Sequence, residues 1–216
     1  MPSTIAYDVT VIDHPLVRVK LSAIRSVDTS LADFRQGLTE LATLMTFEVT
    51  RSLQTRECRI QTPLAGFAGS QLARPIVIAP ILRAGLGMLE GMLKILSGAG
   101  VAHIGLYRNE QTRLPESYYF KAPANLAEAD VIVADPMLAT GGSATAAITQ
   151  LKANGALSIR YMCLVSCPPG LERLQANHPD VPVFTASIDP ELDDRAYIVP
   201  GLGDAGDRFF GTLAEA

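Results

Sequence analysis

The chain has 216 residues, 18 Lys and Arg against 22 Asp and Glu for a formal charge of −4, and 48% hydrophobic against 19% charged residues. A chain of this length buries roughly 70–75% of its surface on folding, so its core needs no disulfides or structural metal, and this hydrophobic content excludes intrinsic disorder. The acidic balance, the lack of any Lys/Arg run longer than two and an aromatic share of 6% argue against a nucleic-acid partner bound through phosphate neutralisation and base stacking.

The longest stretch free of Asp, Glu, Lys and Arg, residues 136–151, is rich in Gly, Thr and Ser and shorter than the about 20 apolar residues of a membrane span. The start, MPSTIAYD, has neither the basic nor the apolar region of a leader, so no membrane partner and a cytoplasmic location are expected. Cys58, Cys163 and Cys167 lack paired C-x-x-C spacing, and His14, His103 and His178 are scattered; the cysteines read as structural rather than metal-ligating.

No internal repeat, low-complexity tract or linker interrupts the chain, which reads as one domain over 1–216, with N-terminal helices at about 15–53 and a core at about 60–212. Pro15 predicts a helix start and a short helix to about Arg25. Ser30 predicts a cap for a longer one from Leu31 to about Leu53, whose Leu31, Phe34, Leu38, Leu41 and Met45 share one helical face. Short aliphatic runs at 76–81, 101–107, 130–135, 159–165 and 183–188 then alternate with helical patterns at 86–96, 143–154 and 170–176. Runs apolar at nearly every position are buried on both faces, so the fold class is α/β, a mostly parallel central sheet flanked by helices. Residues 108–121 break the alternation with arginines beside SYYFK; a loop or projecting hairpin is expected there.

Ligands of such sheets bind outside the carboxyl ends of the strands, which directs attention to three segments. In VIVADPMLATGGSATAAITQLK (131–152) a buried strand runs into Asp135, and Thr140, Gly141, Gly142 and Ser143 open a helix. Consecutive amides and hydroxyls at the positive end of a helix dipole make a phosphate site, the alternative being an ordinary cap. Neither a P-loop lysine nor the last glycine of a nucleophile elbow is present. In APILRAGLGMLEG (79–91), Gly85, Gly87 and Gly91 miss the dinucleotide spacing by one residue, while Arg83 offers paired donors to a phosphate or diphosphate. In YIVPGLGDAGDRFFGT (197–212) glycines surround Asp204, and a backbone so exposed can read the edge of a planar base. The acidic set Asp189, Glu191, Asp193 and Asp194, interrupted by Pro190, reads as a solvated surface loop rather than a metal site.

With VIDHPLV (11–17), TRSL (50–53), PILRAGLGM (80–88), HIGLYR (103–108), DPMLATGGSA (135–144) and YIVPGLGDAGDR (197–208) in this order, the chain resembles the uracil phosphoribosyltransferase family, within the type I phosphoribosyltransferases. The resemblance implies a pentosyltransferase that moves the 5-phosphoribosyl group of 5-phosphoribosyl 1-diphosphate (PRPP) to N1 of uracil, giving UMP and diphosphate, with Mg2+ as cofactor and no covalent nucleophile. It implies PRPP binding by Arg83, Arg108, Asp135, Pro136, Met137, Leu138, Ala139, Thr140, Gly141, Gly142, Ser143 and Asp204, and uracil binding by Ile198, Gly203, Asp204 and Ala205. Arg83, Asp135 and Asp204 would stabilise and position the transition state.

Asp135-Pro136 stands where many phosphoribosyltransferases have two adjacent acids, so Mg2+ is expected on PRPP oxygens and no residue is assigned as its ligand. A homodimer or homotetramer is implied, and GTP is an activator in parts of the family. Pro169 and the sequence at 109–111 depart from the commoner family wording. A PRPP- or nucleotide-sensing regulator on the same fold and a purine-specific transferase are the alternatives.

Overall fold

The computed structural model describes residues 8–108 and 115–212. Strand β1 (Val9–Val11) leads into α1 (Pro15–Arg25) and α2 (Leu31–Val49). Both helices begin on side-chain acceptors: the His14 Nδ1 accepts from the Leu16 amide at 3.2 Å, and the Ser30 hydroxyl accepts from the Asp33 amide at 3.2 Å. Each satisfies a donor that the first turn leaves unpaired. Helix α2 stops at Val49, short of the expected Leu53. The Thr50 hydroxyl donates to the Thr46 carbonyl at 2.8 Å and the chain turns through Leu53, whose amide donates to the Thr50 carbonyl; such back-bonding competes with helix continuation.

That turn feeds an antiparallel hairpin, β2 (Thr55–Gln61) and β3 (Gly66–Leu72), that the sequence reading did not anticipate. Its strands mix polar residues with Ile60, Phe67 and Leu72 and are exposed at nearly every position, so no buried apolar face marks them. The one cue was the turn: the Thr62 hydroxyl accepts the amides of Leu64 and Ala65.

The core follows: β4 (Ile76–Leu82), α3 (Leu86–Ile95), β5 (Gly100–Val101), β6 (His103–Arg108), β7 (Pro115–Lys121), β8 (Asp130–Ala134), β9 (Met137–Leu138), α4 (Gly142–Ala153), β10 (Ser158–Ser166), α5 (Pro168–Asn177), β11 (Val183–Ile188), β12 (Glu191–Leu192), β13 (Ile198–Val199) and α6 (Ala205–Phe210). The main sheet runs β1-β11-β10-β8-β4-β6-β7, parallel throughout except for β7, while β5 pairs with β4 and β9 with β10. Of the segment expected as a loop or projecting hairpin at 108–121, β7 pairs antiparallel with β6, the strand expected at 101–107; the residues between them, with the departures at 109–111, lie outside the described residues.

Alternate residues face opposite layers. Ile76, Ile78, Ile132, Ala134, Met162 and Leu164 pack with α1, α2 and α3, whereas Val77, Ala79, Val131, Val133, Tyr161 and Cys163 pack with α4 and α5. Both faces are covered, which is why the strands read as continuous apolar runs. The parallel register, Val77 opposite Val131 and Ala134 opposite Met162, brings the ends of β4, β8 and β10 to one edge. Among the described residues no helix is long and apolar enough to cross a membrane.

Candidate functional site

After β8 the chain is pinned along β10. The Asp135 amide donates to the Met162 carbonyl at 3.1 Å, the Pro136 carbonyl accepts the amides of Leu164 and Val165, and the Leu138 carbonyl accepts that of Cys167. The Cys167 thiol, 3.0 Å from the Ala139 carbonyl, adds a sulfur contact. With its outer side tied down, the segment curves around a cavity of 90 Å3 lined by Asp135, Met137, Leu138, Ala139, Thr140, Gly141, Gly142, Ser143 and Ala144. Of the residues expected to hold PRPP in this segment, Pro136 is buried and does not line this cavity.

Gly141 sits at the N-terminus of α4 with φ +74°, and no side chain caps the helix. A Cβ there would stand 2.7 Å from the Gly170 carbonyl, so the turn needs glycine both for its left-handed conformation and for its approach to α5. The amides of the first turn of α4 therefore point into the cavity, an arrangement suited to an anion.

Asp135 carries the unusual electrostatics of this site. Its carboxyl reaches the cavity but is otherwise surrounded by protein, and burial pushes it up to about 7 while a hydrogen bond from the Met137 amide acts against that. Both cysteines of β10 and its end are structural: Cys163 is buried, its thiol pushed up to about 12 by burial, and Cys167 is a contact of the loop. Neither is a thiolate at neutral pH.

The turn after β4 joins this loop to the C-terminal segment. A Cβ on Gly85 would collide with the Ala134 carbonyl, and a Cβ on Gly206, at the start of α6, would come within 3.7 Å of the Ala84 Cβ. The peptide bond between Leu82 and Arg83 is cis. Arg83, 58% exposed, donates to Asp207 at 3.0 Å and lies over the Phe210 ring. Asp207 is a residue the sequence reading missed, because nothing in local spacing pairs it with a turn more than a hundred positions earlier.

In the C-terminal segment Ile198 is buried in the ladder β12–β13, Gly203 is exposed with φ +67°, and Ala205 is buried at the start of α6. Asp204 caps that helix, its Oδ1 accepting from the Asp207 amide at 2.9 Å. The acidic loop differs from expectation: Asp189 is only 3% exposed and forms a bidentate ion pair with Arg25 at 2.6 and 2.7 Å, while Glu191 lies on β12. A guanidinium supplied by α1, with the Ser187 hydroxyl and the Gly201 amide, makes Asp189 a satisfied interior group. Arg108 ends β6 opposite Pro115; its side chain lies outside the described residues. The structure thus brings together the segments around Asp135, Arg83 and Asp204.

The family profile described as uracil phosphoribosyltransferase matches residues 11–212. A relative from Clostridium perfringens (strain SM101 / Type A), named uracil phosphoribosyltransferase, is 55% identical over 205 residues, 94% of this chain and 98% of that protein. The solved AQ2163 protein from Aquifex aeolicus superposes with a TM-score of 0.91 at 33% identity, covering 96% of this chain and 100% of that one. An adenine phosphoribosyltransferase from Trypanosoma brucei, solved with AMP, pyrophosphate and ribose-5-phosphate, shares the fold at a TM-score of 0.56 and 14% identity, over 85% of each chain.

Proposed function

Since the chain belongs to the uracil phosphoribosyltransferase family, we propose that it is a pentosyltransferase of pyrimidine salvage, working in the cytoplasm. It forms the bond between C1 of the PRPP ribose and N1 of uracil and breaks that from C1 to the diphosphate oxygen, the N1 proton of uracil passing to the released diphosphate or to water. The observation that carries this reading is the convergence of a helix-start anion cavity, an arginine-bearing turn and a glycine-rich loop at one edge of the parallel sheet.

In this reading the first turn of α4 with Thr140 and Ser143 holds the 5-phosphate, and the Asp135 carboxylate accepts from the ribose hydroxyls. Arg83 faces the diphosphate, whose departure from an oxocarbenium-like ribose is the step it assists, a role the resemblance also implies for Arg108. Arg83 reaches it by exchanging Asp207 for the substrate. Gly203 and Ala205, with Ile198, present backbone groups to the edge of uracil, and Asp204 adds its carboxylate. Geometry and charge carry the rate, and no side-chain nucleophile is required.

Among the described residues no three His, Cys, Asp or Glu side chains form a metal cluster. The site nonetheless offers hard oxygen donors, the carboxylates of Asp135 and Asp204 on separate loops. That set fits a Mg2+ ion that takes most of its ligands from PRPP and water. Held there, such an ion would supply positive charge beside the diphosphate.

The direct test is UMP formation from uracil, PRPP and Mg2+, with cytosine, hypoxanthine and adenine as competing acceptors, repeated with GTP. Uracil-selective product supports the reading. PRPP binding without product, with GTP present, would overturn it. Asp204→Asn isolates the base loop, because Asn caps a helix as well as Asp does. The expected result is uracil turnover down at least tenfold while PRPP still binds, a loss of a charged hydrogen bond to the base. An unchanged uracil rate would remove Asp204 from the site.

The β2–β3 hairpin bears on assembly as a homodimer or homotetramer. It leaves Ile60, Leu64, Phe67 and Leu72 between 41% and 97% exposed, and an isolated two-stranded hairpin is marginal in water. Arg56, Glu57 and Arg59 on the same strand give it charges of both signs for a self-complementary partner. Sedimentation should find an oligomer that Phe67→Glu reduces to a smaller species; a monomeric native chain would refute this.

A further inference from the structure

The strongest arrangement that the reaction chemistry does not use lies behind the base loop. The carboxylate of Asp189 accepts four hydrogen bonds: from Arg25 Nη1 at 2.6 Å and Nη2 at 2.7 Å, from the Ser187 hydroxyl at 2.7 Å and from the Gly201 amide at 2.9 Å. Four is about the full accepting capacity of a carboxylate. The same Arg25 Nη1 also donates to the Gly201 carbonyl at 2.8 Å. One ion pair therefore grips both the donor and the acceptor of a single backbone residue.

Gly201 could not be replaced by a reorientation of this loop. It has φ +57°, and a Cβ would collide with the Ile198 carbonyl. The next carbonyl, Leu202, accepts from Arg208 Nη1 at 2.9 Å, and that guanidinium also donates to the carbonyls of Ile24 and Ser26. The inner side of the loop is thus tied to the last turn of α1 from two directions, while Gly203, two residues on, stays exposed.

We propose that Arg25 and Asp189 are positioning residues for base recognition: they hold Gly201 so that the backbone of Gly203 to Ala205 meets the edge of uracil in register. This rests on the reading that the loop binds uracil. Recognition through backbone groups depends on where the backbone lies, so a loosened clamp costs affinity for the base while leaving the phosphate cavity after β8 untouched. The ion pair is sequestered, and removing one partner leaves the other charge buried and uncompensated, so a milder variant accompanies the stronger ones.

The experiment compares Asp189→Asn, Arg25→Lys and Ser187→Ala with the native enzyme, reading KM for uracil, KM for PRPP, kcat and the melting temperature. Asp189→Asn is expected to raise the uracil KM about tenfold, the scale of losing a charge-assisted hydrogen bond, with the PRPP KM and kcat within about twofold. Arg25→Lys should not rescue, because an ammonium cannot span two carboxylate oxygens and a carbonyl in the same plane. Ser187→Ala, which keeps the ion pair and folds without a buried orphan charge, should raise the uracil KM about threefold.

Equal rises in both KM values that track the fall in melting temperature, or an unchanged uracil KM in Ser187→Ala and Asp189→Asn, would overturn the proposal. Full rescue by Arg25→Lys would also overturn it. Asp204→Asn serves as the arbiter: if it disturbs uracil use and Asp189→Asn does not, the clamp fails and the base site stands. If neither does, the base site itself is misplaced.

Discussion

Asp135→Asn is expected to make the ligand-free protein more heat-stable at pH 8 while abolishing most of its use of PRPP. The carboxyl is pushed up to about 7 by burial, from 3.8 when unperturbed. Between those two values the folded state holds a proton that the unfolded chain has released, so stability falls as pH rises across that interval and remains lower above it. Asn carries no charge to desolvate and can still accept from the Met137 amide. The melting temperature of the variant should therefore exceed that of the native chain by several degrees at pH 8, a gap that narrows as pH falls toward 4.

Activity moves the other way. Two ribose hydroxyls donating to a carboxylate make charge-assisted hydrogen bonds, worth about 1.5–3 kcal/mol each, so losing both should lower kcat/KM for PRPP by roughly 150-fold to 25,000-fold. In the native enzyme the same ionisation makes the KM for PRPP rise as pH drops below about 7. Scanning calorimetry and initial rates from pH 5 to 8 check both halves. A variant less stable than the native chain at pH 8 would show that Asp135 is held ionised by contacts outweighing its burial.

Gly141→Ala should damage the phosphate cavity almost as severely. An alanine at φ +74° sits in the left-handed region at a cost of about 1 kcal/mol. Its Cβ, 2.7 Å from the Gly170 carbonyl and 3.1 Å from the Arg173 Cβ, meets backbone on one side. Neither α4 nor α5 can retreat without opening the core between Ala144, Leu171 and Leu174. The first turn of α4 must then tilt, and a misplacement of about 1 Å at such a site costs on the order of 100-fold. The expected outcome is a PRPP KM raised 30-fold or more and a melting temperature several degrees lower, with Gly98→Ala, whose Cβ would meet nothing within 4 Å, near native. A native-like KM in Gly141→Ala would mean that the phosphate does not depend on this turn.

Much of the fold was legible in the residues because burial on both faces leaves a strong local mark. The runs at 76–81, 130–135 and 159–165 are central strands, and Pro15 and Ser30 start helices as their chemistry requires. The hairpin at 55–72 left no such mark, since no apolar face of it is buried in the chain. At the site, a strand end followed by Thr140-Gly141-Gly142-Ser143 reads as an anion cavity from helix chemistry alone, and the family resemblance rested on the same segments.

What the residues determined by themselves are the properties that local chemistry sets. Apolar runs, capping groups and glycines at forced turns decide which pieces become strands, helices and anion-binding loops. Only the tertiary structure decided how distant charges are used. It placed Asp189 in the interior against Arg25, put Arg83 on Asp207, and enclosed Asp135 so that its carboxyl titrates near neutrality. The reason is physical: an ionisable group's behaviour depends on the water it loses and the partner it gains, and both are supplied by segments far away in the chain.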